Sequence, residues 1–364
     1  MAVNVRKETM LAAVLHGAKD VRMEEVPIPH VGPEDLLARV EAASVDFTDR
    51  KVYLRGRHPM IEIPGVFGHE WAGVVVTAGE RASPTWRPGM RVVAANSAPC
   101  VEPDPAARCR PCQRDRQSMC ERLPYNNGAF APYIRIPGRI VSVNLHELPP
   151  ETPFEEAALA EPLACVMHAT RRVRLCEGDV VAIVGAGPIG LLFVLSLRGQ
   201  YGRAISILSL DHHDDRLAMA RAFGADAALD TSGGQVRARM KQALGVERAD
   251  VVIEAVGSVQ AHQEAFELLG RGGTLVAFGG VAQGTVFPLD LHRVHYEEVQ
   301  IVPIYHHTPR DFARAVRAIV RREIPVARLI TARLSLRELP RALDMVQERT
   351  TLRTILHPWD RGSG

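Results

Sequence analysis

The segment "VAIVGAGPIG", residues 181 to 190, constrains the fold of this chain more than any other segment. An apolar run leads into glycines at the spacing G-x-G-x-x-G, formed by Gly185, Gly187 and Gly190. This pattern is typical of a buried strand that turns tightly into a helix. Strand-like and helix-like segments then alternate to about residue 280. The alternation predicts a doubly wound parallel sheet, an α/β architecture.

The same glycine turn predicts a dinucleotide site, because backbone can approach a pyrophosphate there and the following helix N-terminus binds its charge. A glycine turn without a ligand is the alternative. Asp211 ends the next strand, 21 residues after Gly190, where a carboxylate is expected to bind ribose hydroxyls. NAD is therefore expected over NADP, although His212 and His213 could meet a phosphate or form a solvated loop. The residues expected to bind the cofactor are Gly185, Gly187, Pro188, Ile189, Gly190, Asp211, Arg216 and Val256.

Short strand-like segments punctuated by glycine and proline fill residues 11 to 95 and resume in "GAFAPYIRIP" and "RIVSVN". They predict a β-rich, partly barrel-like domain. After about residue 305, "TPRDFARAVRAIVRREI" and "SLRELPRALDMVQER" have the spacing of amphipathic helices. The final residues, 359 to 364, are expected to be loose.

Four cysteines form a cluster within this first region: Cys100, Cys109, Cys112 and Cys120. The last three have the spacing C-x2-C-x7-C, and eight residues separate them from the first. Four thiolates on one loop can close a tetrahedral structural zinc site. The alternative is four unpaired thiols. The other two, Cys165 and Cys176, are expected to be ordinary buried cysteines.

One imidazole and three carboxylates from separate segments predict a second metal site: Asp46, His69, Glu70 and Glu161. Such a donor set suits a catalytic zinc with one open position. Neighbouring strand residues point to opposite faces, so His69 is the firm ligand and Glu70 an exchangeable ligand or a neighbour of the ligands. Alternatively, Asp46 only caps the turn that follows it, and the metal has been lost.

Bulk composition excludes several classes of protein. A chain of 364 residues is long enough for two domains. Its net charge of +2, from 44 basic and 42 acidic residues, creates no strong field for nucleic acid or membrane. We find neither a transmembrane run nor a secretory signal pattern. A cytoplasmic protein is expected, in which thiols stay reduced and clustered cysteines bind metal.

Taken together, the motifs "GHEWAGVVV", "GAFAPYIRIP", "AEPLACVMHA", "VGAGPIGLL" and "DVVIEAVG", with the cysteine cluster, cover about residues 10 to 355. The chain thereby resembles the zinc-dependent medium-chain dehydrogenase/reductase superfamily, in its sorbitol, threonine and glucose dehydrogenase branch, with similarity to aminocyclitol dehydrogenases. The resemblance implies a GroES-like catalytic domain at 1–158, with a cysteine zinc lobe at 96–122. It also implies a Rossmann NAD-binding domain at 159–304 and a C-terminal return to the catalytic domain at 305–364.

The resemblance further implies a mechanism. Zinc held by Asp46, His69 and Glu161 lowers the pKa of a secondary alcohol, whose hydride passes to the nicotinamide. The proton is expected to leave through Thr48 toward Lys51 or solvent, unless Lys51 is an ordinary exposed lysine. The expected substrate is a polyol, sugar, cyclitol or aminocyclitol, and the expected assembly is a homodimer or homotetramer.

Three departures from the family pattern bear on this mechanism. Asp46 stands where the family usually has a cysteine, and Lys51 stands where it commonly has a histidine. The spacing after Cys100 is longer than usual. Two alternatives therefore accompany the main hypothesis: a zinc-free quinone or enoyl reductase of the same superfamily, and a non-catalytic NAD-binding relative.

Overall fold

The computed structural model describes residues 8–57, 61–82, 85–100 and 102–360. The chain divides into two compact units. The first unit combines Met1–Ala164 with His307–Gly364, and the second is Cys165–His306. The exact domain boundaries expected from the sequence stay predictions.

The strands in chain order are β1 (Thr9–Gly17), β2 (Asp20–Pro27), β3 (Leu36–Val45), β4 (Gly65–Val66), β5 (Glu70–Ala78), β6 (Arg91–Ala94), β7 (Tyr133–Ile136), β8 (Leu145–Glu147), β9 (Val180–Val184), β10 (Ser206–Asp211), β11 (Ala227–Asp230), β12 (Ala249–Glu254), β13 (Leu269–Ala277), β14 (Gln300–Pro303), β15 (Ile330–Ser335) and β16 (Arg353–His357). The α-helices are α1 (Phe47–Arg55), α2 (Arg110–Gln113), α3 (Gly138–Val143), α4 (Phe154–Ala157), α5 (Ala160–Arg172), α6 (Pro188–Tyr201), α7 (Asp214–Phe223), α8 (Val236–Leu244), α9 (Val259–Glu267), α10 (Leu291–Tyr296), α11 (Pro309–Val320) and α12 (Leu339–Glu348).

The first unit is β-rich. One sheet has the order β2-β1-β4, and a larger one follows the path β15-β16-β3-β5-β6-β8, with β7 also paired to β3. The C-terminal strand β16 pairs antiparallel with β3, which brings Thr354 opposite Val45. Apolar side chains from both ends of the chain share one core, including Trp71, Phe130 and Leu339. The two distant ends of the sequence therefore build one folded unit.

The second unit is a doubly wound parallel sheet with the strand order β11-β10-β9-β12-β13-β14. This order matches that of a dinucleotide-binding fold, whose ligand crevice lies where the order reverses. The reversal occurs between β9 and β12, which are direct neighbours. The predicted α/β fold class is confirmed. The short strand β11 and the helix α8, which buries only Met240, had too weak a pattern to be predicted.

Three local predictions were wrong. The segment "RIVSVN" forms helix α3 and its C-cap, because its three apolar residues, Ile140, Val141 and Val143, are too few to distinguish helical from strand periodicity. The turn after Asp46 is a full helix, α1. Cys176 is exposed and Cys165 is only partly buried. Cys176 lies in the connection before β9, where its backbone N–H donates to Asp179.

The C-terminal tail is anchored as far as the structure describes it. The indole Nε1 of Trp359 donates to the carbonyl of Val40 over 2.8 Å. The remainder of the tail expected to be loose, residues 361–364, lies outside the described residues. Among the residues that the structure describes, no helix combines the length and apolar character needed to cross a bilayer.

Candidate active site

Two carboxylates are positioned where β3 ends and α1 begins. Oδ1 of Asp46 accepts from the backbone N–H of Asp49 over 2.7 Å, and Oδ2 of Asp49 accepts from the N–H of Asp46 over 3.0 Å. This reciprocal cap satisfies two N–H groups at the start of the helix. The other oxygen of each carboxylate faces His69.

His69 lies immediately before the first residue of β5, so it is not bound by the strict alternation of strand side chains. Gly68 precedes it with φ +91°, a left-handed conformation that favours glycine. Nδ1 of His69 is 3.4 Å from Oδ1 of Asp49, and Nε2 is 4.0 Å from Oδ2 of Asp46. Asp49 therefore occupies the Nδ1 side of the ring. Nε2 is left on the side of Asp46 as the nitrogen that can bind a metal.

Glu70 is held by a buried arginine from the far end of the sequence. Both its carboxylate oxygens lie 2.9 Å from Nη1 of Arg353. Glu70 is 1% exposed and Arg353 is 3% exposed. Arg353 reaches this position because β16 pairs with β3, which also pairs with β5. The ion pair supports the expectation that Glu70 is not a permanent ligand.

Glu161, at the start of α5, brings the last of the four predicted side chains to the same place. Ligand atoms of His69, Glu70 and Glu161 all lie within 4.8 Å of one another, as do those of Asp46, Asp49 and His69. Oε1 of Glu161 is also 3.8 Å from Nε2 of the buried His307. The residues predicted from three segments thus form one cluster.

Sequence reasoning missed two members of this cluster as site residues, Asp49 and Arg353. The spacing Asp46-x-x-Asp49 is a capping-box pattern that could have indicated Asp49. For His306 and His307, in the segment "YHHTPRDF", the sequence suggested either contact with substrate or pyrophosphate or, as the favoured interpretation, a structural role. Nothing in the sequence around Arg353 marks it, because its role depends on strand pairing.

The cluster carries more buried negative than positive charge. Its carboxylates are those of Asp46, Asp49, Glu70 and Glu161, all of them largely or fully buried. Arg353 is its permanent cation. Burial together with the charge of Asp46 raises the pKa of Asp49 to about 7. Burial also raises the pKa of Glu161 to about 7, with Glu70 adding to the effect.

His69 responds in the opposite sense. Burial alone lowers the pKa of its imidazole, but the charges of Asp49 and Asp46 outweigh burial and raise it well above the usual value. The cluster therefore attracts positive charge, which either protons or a divalent cation can supply. Carboxylate oxygen and imidazole nitrogen are both zinc donors, so the residues present fit a zinc ion.

The two predicted proton-relay residues lie on α1. Thr48 and Lys51 are partly buried, and Nζ of Lys51 lies 4.8 Å from the centroid of the Phe47 ring. Burial lowers the pKa of Lys51, and the neighbouring cation Arg55 adds to this shift. Lys51 is thus not an ordinary exposed lysine, although its relay role stays a prediction.

The four clustered cysteines converge as predicted. All four Sγ atoms lie within 4.8 Å of one another. Cys120 Sγ is 3.4 Å from that of Cys100 and 3.7 Å from that of Cys109. Zinc–sulfur bonds of about 2.3 Å in a tetrahedron separate the sulfurs by about 3.8 Å, so the cluster fits zinc with little movement.

Thiol chemistry agrees with this geometry. Burial opposes ionisation of Cys109, yet N–H groups of Cys112 and Glu121 lower its pKa to about 6. Burial raises the pKa of Cys112 and of Cys120. The Cys109 thiolate forms readily, and a cation is needed to ionise Cys112 and Cys120.

In the second unit, the glycine turn leaves space for a ligand. A Cβ on Gly185 would lie 2.6 Å from Val256 Cγ2, and one on Gly190 would lie 1.8 Å from the carbonyl oxygen of Gly185. A Cβ on Gly187 would meet only Nη1 of Arg216, at 3.8 Å. No side chain of the described residues caps α6, which starts at this turn. This arrangement fits a dinucleotide pyrophosphate.

Asp211, at the end of β10, is tied to the turn. Its Oδ2 accepts from the N–H of Ala186 over 2.7 Å. Its Oδ1 accepts from the N–H groups of His212 and His213, at 2.8 and 3.1 Å, and lies 2.8 Å from Nδ1 of His213. Burial raises the pKa of Asp211, but these hydrogen bonds, His213 first, lower it overall. Asp211 is therefore an ionised carboxylate beside the glycine turn.

Comparison with known proteins agrees with the folds described for both units. Residues 32–147 match the alcohol dehydrogenase GroES-like domain, and residues 188–321 match the zinc-binding dehydrogenase family. A sorbitol dehydrogenase from Bombyx mori is 32% identical over 358 residues, covering 95% of this chain and 98% of that protein. An erythritol/L-threitol dehydrogenase from Mycolicibacterium smegmatis is 30% identical, covering 93% of this chain and 94% of that protein.

Among solved structures, a protein from Sinorhizobium meliloti 1021 assigned as a zinc-binding dehydrogenase and bound to NADP superposes with a TM-score of 0.86. It is 28% identical, and the match covers 97% of this chain and all of that one. These matches favour the dehydrogenase over a zinc-free reductase or a non-catalytic relative. The chain belongs to the zinc-type medium-chain dehydrogenase family and is an NAD(P)-dependent alcohol or polyol dehydrogenase.

Proposed function

We propose that the protein interconverts a secondary alcohol and a ketone on a polyol, sugar or cyclitol. Zinc at Asp46, His69 and Glu161 assists the reaction, and NAD is the preferred cofactor. The buried excess of carboxylates around His69 carries this proposal. Four carboxylates gathered around one buried imidazole repel one another, and a bound cation would offset that cost. The expectation of a homodimer or homotetramer stays a prediction.

The catalytic zinc would be held by one nitrogen and two oxygens. Zinc ligands at about 2.0–2.1 Å lie about 3.4 Å apart in a tetrahedron. Nε2 of His69 and Oδ2 of Asp46, now 4.0 Å apart, need only a small approach. Glu161 provides the third ligand, and Glu70 remains with Arg353. Three protein ligands leave one position for substrate, as in catalytic zinc sites generally.

When bound at Asp46, His69 and Glu161, zinc would supply Lewis-acid chemistry, and the dinucleotide would supply the hydride acceptor. The side chains of the protein orient the metal ligand His69 and remove the proton of the alcohol. Asp49 fixes the His69 ring so that Nε2 faces the metal position. Thr48 and Lys51 take the proton away, and the lowered pKa of Lys51 makes it a better acceptor than a free lysine.

Substrate class is inferred from relatives and from the site together. The names of two relatives state activity on sorbitol and on erythritol or L-threitol, which are linear polyols. A cluster rich in carboxylates also suits a substrate with several hydroxyl donors. We include cyclitols and aminocyclitols because they present the same secondary hydroxyl on a ring.

NAD is preferred because the region around the expected ribose is acidic. Asp211 pairs in register with Asp230 on the neighbouring strand, and Asp214 and Asp215 occupy the first turn of α7. These carboxylates disfavour a 2′-phosphate. Arg216, whose guanidinium lies near the glycine turn, provides the opposing positive charge.

The role of Asp46 as a ligand can be separated from its role as a helix cap. Serine caps helices as well as aspartate does, but it offers no carboxylate. We expect Asp46→Ser to lose the catalytic zinc and to lower kcat/KM by at least about 100-fold, while helix α1 stays capped. Asp46→Ala should lose the same activity and, in addition, about 1 kcal/mol of stability. Metal analysis, kinetics and urea unfolding measure the three effects. Full zinc content and activity in Asp46→Ser would show that Asp46 is only a cap.

The cysteine cluster makes a prediction about stoichiometry. The wild-type protein should contain two zinc ions per chain, one in each site. Cys112→Ser should contain one fewer and unfold at a lower temperature, because structural zinc contributes directly to folding. Cys176→Ser, which changes an exposed cysteine outside the cluster, should keep both ions. Equal zinc content in the two variants would contradict a structural site.

Zinc affinity at the catalytic site should depend on pH with a defined sign. Asp49 and Glu161 have pKa values raised to about 7, so both bind protons below that pH. Zinc binding must displace those protons and also the proton of the His69 imidazole, whose pKa is raised well above its usual value. Zinc affinity should therefore rise from pH 6 to pH 8 and continue to rise until His69 has lost its proton. Equilibrium dialysis against a zinc buffer at each pH measures the occupancy. Asp49→Asn removes one of the two groups and should flatten the profile. A wild-type occupancy that does not change over this range would refute the assignment.

A substrate screen tests the proposed function itself. Purified protein is supplied with NAD or NADP and with polyols, sugars, cyclitols, aminocyclitols and primary alcohols, and absorbance of the reduced cofactor is recorded. We expect activity on at least one secondary alcohol of the first four classes, higher with NAD, and none in His69→Ala. Activity restricted to primary alcohols would exclude the proposed substrate class.

A further inference from the structure

Oδ1 of Asp211 has no acceptor capacity left, because three donors converge on it, whereas Oδ2 accepts one donor and keeps one site. A carboxylate offers about four lone-pair sites. Four donors already lie within hydrogen-bond distance: the backbone N–H groups of Ala186, His212 and His213, and Nδ1 of the His213 ring. The three backbone donors belong to the glycine turn and to the connection before α7. The His213 imidazole is the only side chain among the four.

Binding of NAD therefore competes with His213. The ribose hydroxyls of NAD donate to a carboxylate at this position. One ribose hydroxyl can use the remaining site on Oδ2, but the second needs Oδ1. The backbone donors on Oδ1 cannot leave without unfolding the turn, so the imidazole must give way. NADP carries a phosphate in place of the 2′-hydroxyl, so its affinity does not fall if the imidazole stays hydrogen-bonded to Asp211. His213 thus weakens the binding of NAD selectively.

His212 lies beside His213 and is the more exposed of the two imidazoles. Its ring centroid is 4.0 Å from that of His213, and its Nδ1 is 3.7 Å from Oδ1 of Asp211. The His212 side chain is 59% exposed. Two imidazoles and the guanidinium of Arg216 present N–H donors on the side of the turn where a 2′-phosphate would lie, and such donors bind phosphate oxygens.

We propose that His213 and His212 determine cofactor specificity. His213 competes with the ribose of NAD for Asp211, and the two imidazoles together bind the 2′-phosphate of NADP. The nearby carboxylates still favour NAD, but the histidine pair narrows that preference, so the enzyme uses both dinucleotides. This inference rests on the proposed assignment of Asp211 and the glycine turn to the cofactor.

Direct binding tests the inference without knowledge of the alcohol. Isothermal titration with NADH and with NADPH is carried out on the wild-type protein, His213→Ala, His213→Phe and His212→Ala. Both His213 variants should bind NADH about three- to tenfold more tightly, the effect of removing one competing hydrogen bond. They should bind NADPH more weakly. His212→Ala should weaken NADPH by a similar factor and leave NADH unchanged. His295→Ala, an exposed histidine on α10, is the matched control and should change neither.

The phenylalanine variant guards against misfolding, because it keeps a ring beside His212 while losing Nδ1. Thermal unfolding of each variant accompanies the titrations. The inference is overturned if folded His213 variants bind NADH no more tightly than the wild type, or if the NADH-to-NADPH affinity ratio is the same in all proteins. Absence of binding of either dinucleotide to the wild type would overturn the cofactor site as well. A shifted ratio without any polyol oxidation would support the inference and reject only the substrate class.

Discussion

The excess of buried negative over positive charge around His69 is the constraint on which the first unit depends. Burying several carboxylates close together costs far more free energy than any single apolar contact returns. Arg353 lies beside Glu70 and pairs with its charge, although 283 residues of sequence separate the two. One guanidinium cannot balance four carboxylates, so the remainder must be met by protons or by metal. The C-terminal return to the first unit thus has an electrostatic role as well as a packing one.

The same region shows how an aspartate can stand where related enzymes have a cysteine. Asp46 uses one oxygen to cap α1 and keeps the other toward His69. A thiolate, with a single donor atom, cannot do both, and cysteine is not a preferred N-cap residue. If Asp46 binds zinc as proposed, it would be a harder ligand than cysteine and would link the metal directly to the helix cap. Asp49 repeats this double use, and the two carboxylates hold the imidazole from either side.

Local patterns made much of this predictable. The glycine turn, Asp211 and the cysteine cluster lie within short spans, and their spacing is dictated by backbone geometry. Arg353 could not be found in this way, and the approach of His307 to Glu161 could not be predicted, because strand pairing and chain return bring both to the site from the far end of the sequence. Helix α3 was mistaken for a strand since its three apolar residues, Ile140, Val141 and Val143, fit either periodicity. Helix α1 was taken for a turn because only Val52 and Asp49 are buried in it, which leaves no apolar helical periodicity.

The two units differ in how easily evolution could adjust them. At the metal cluster, every charged side chain shifts the pKa of its neighbours, so a single replacement disturbs all of them. The dinucleotide turn instead uses backbone N–H groups and the absence of Cβ atoms, which side-chain replacement hardly changes. Only the residues just after Asp211 vary its acceptor capacity. If His212 and His213 set cofactor preference as proposed, that preference can change without loss of the fold, whereas the charged side chains of the carboxylate cluster can change only as a set.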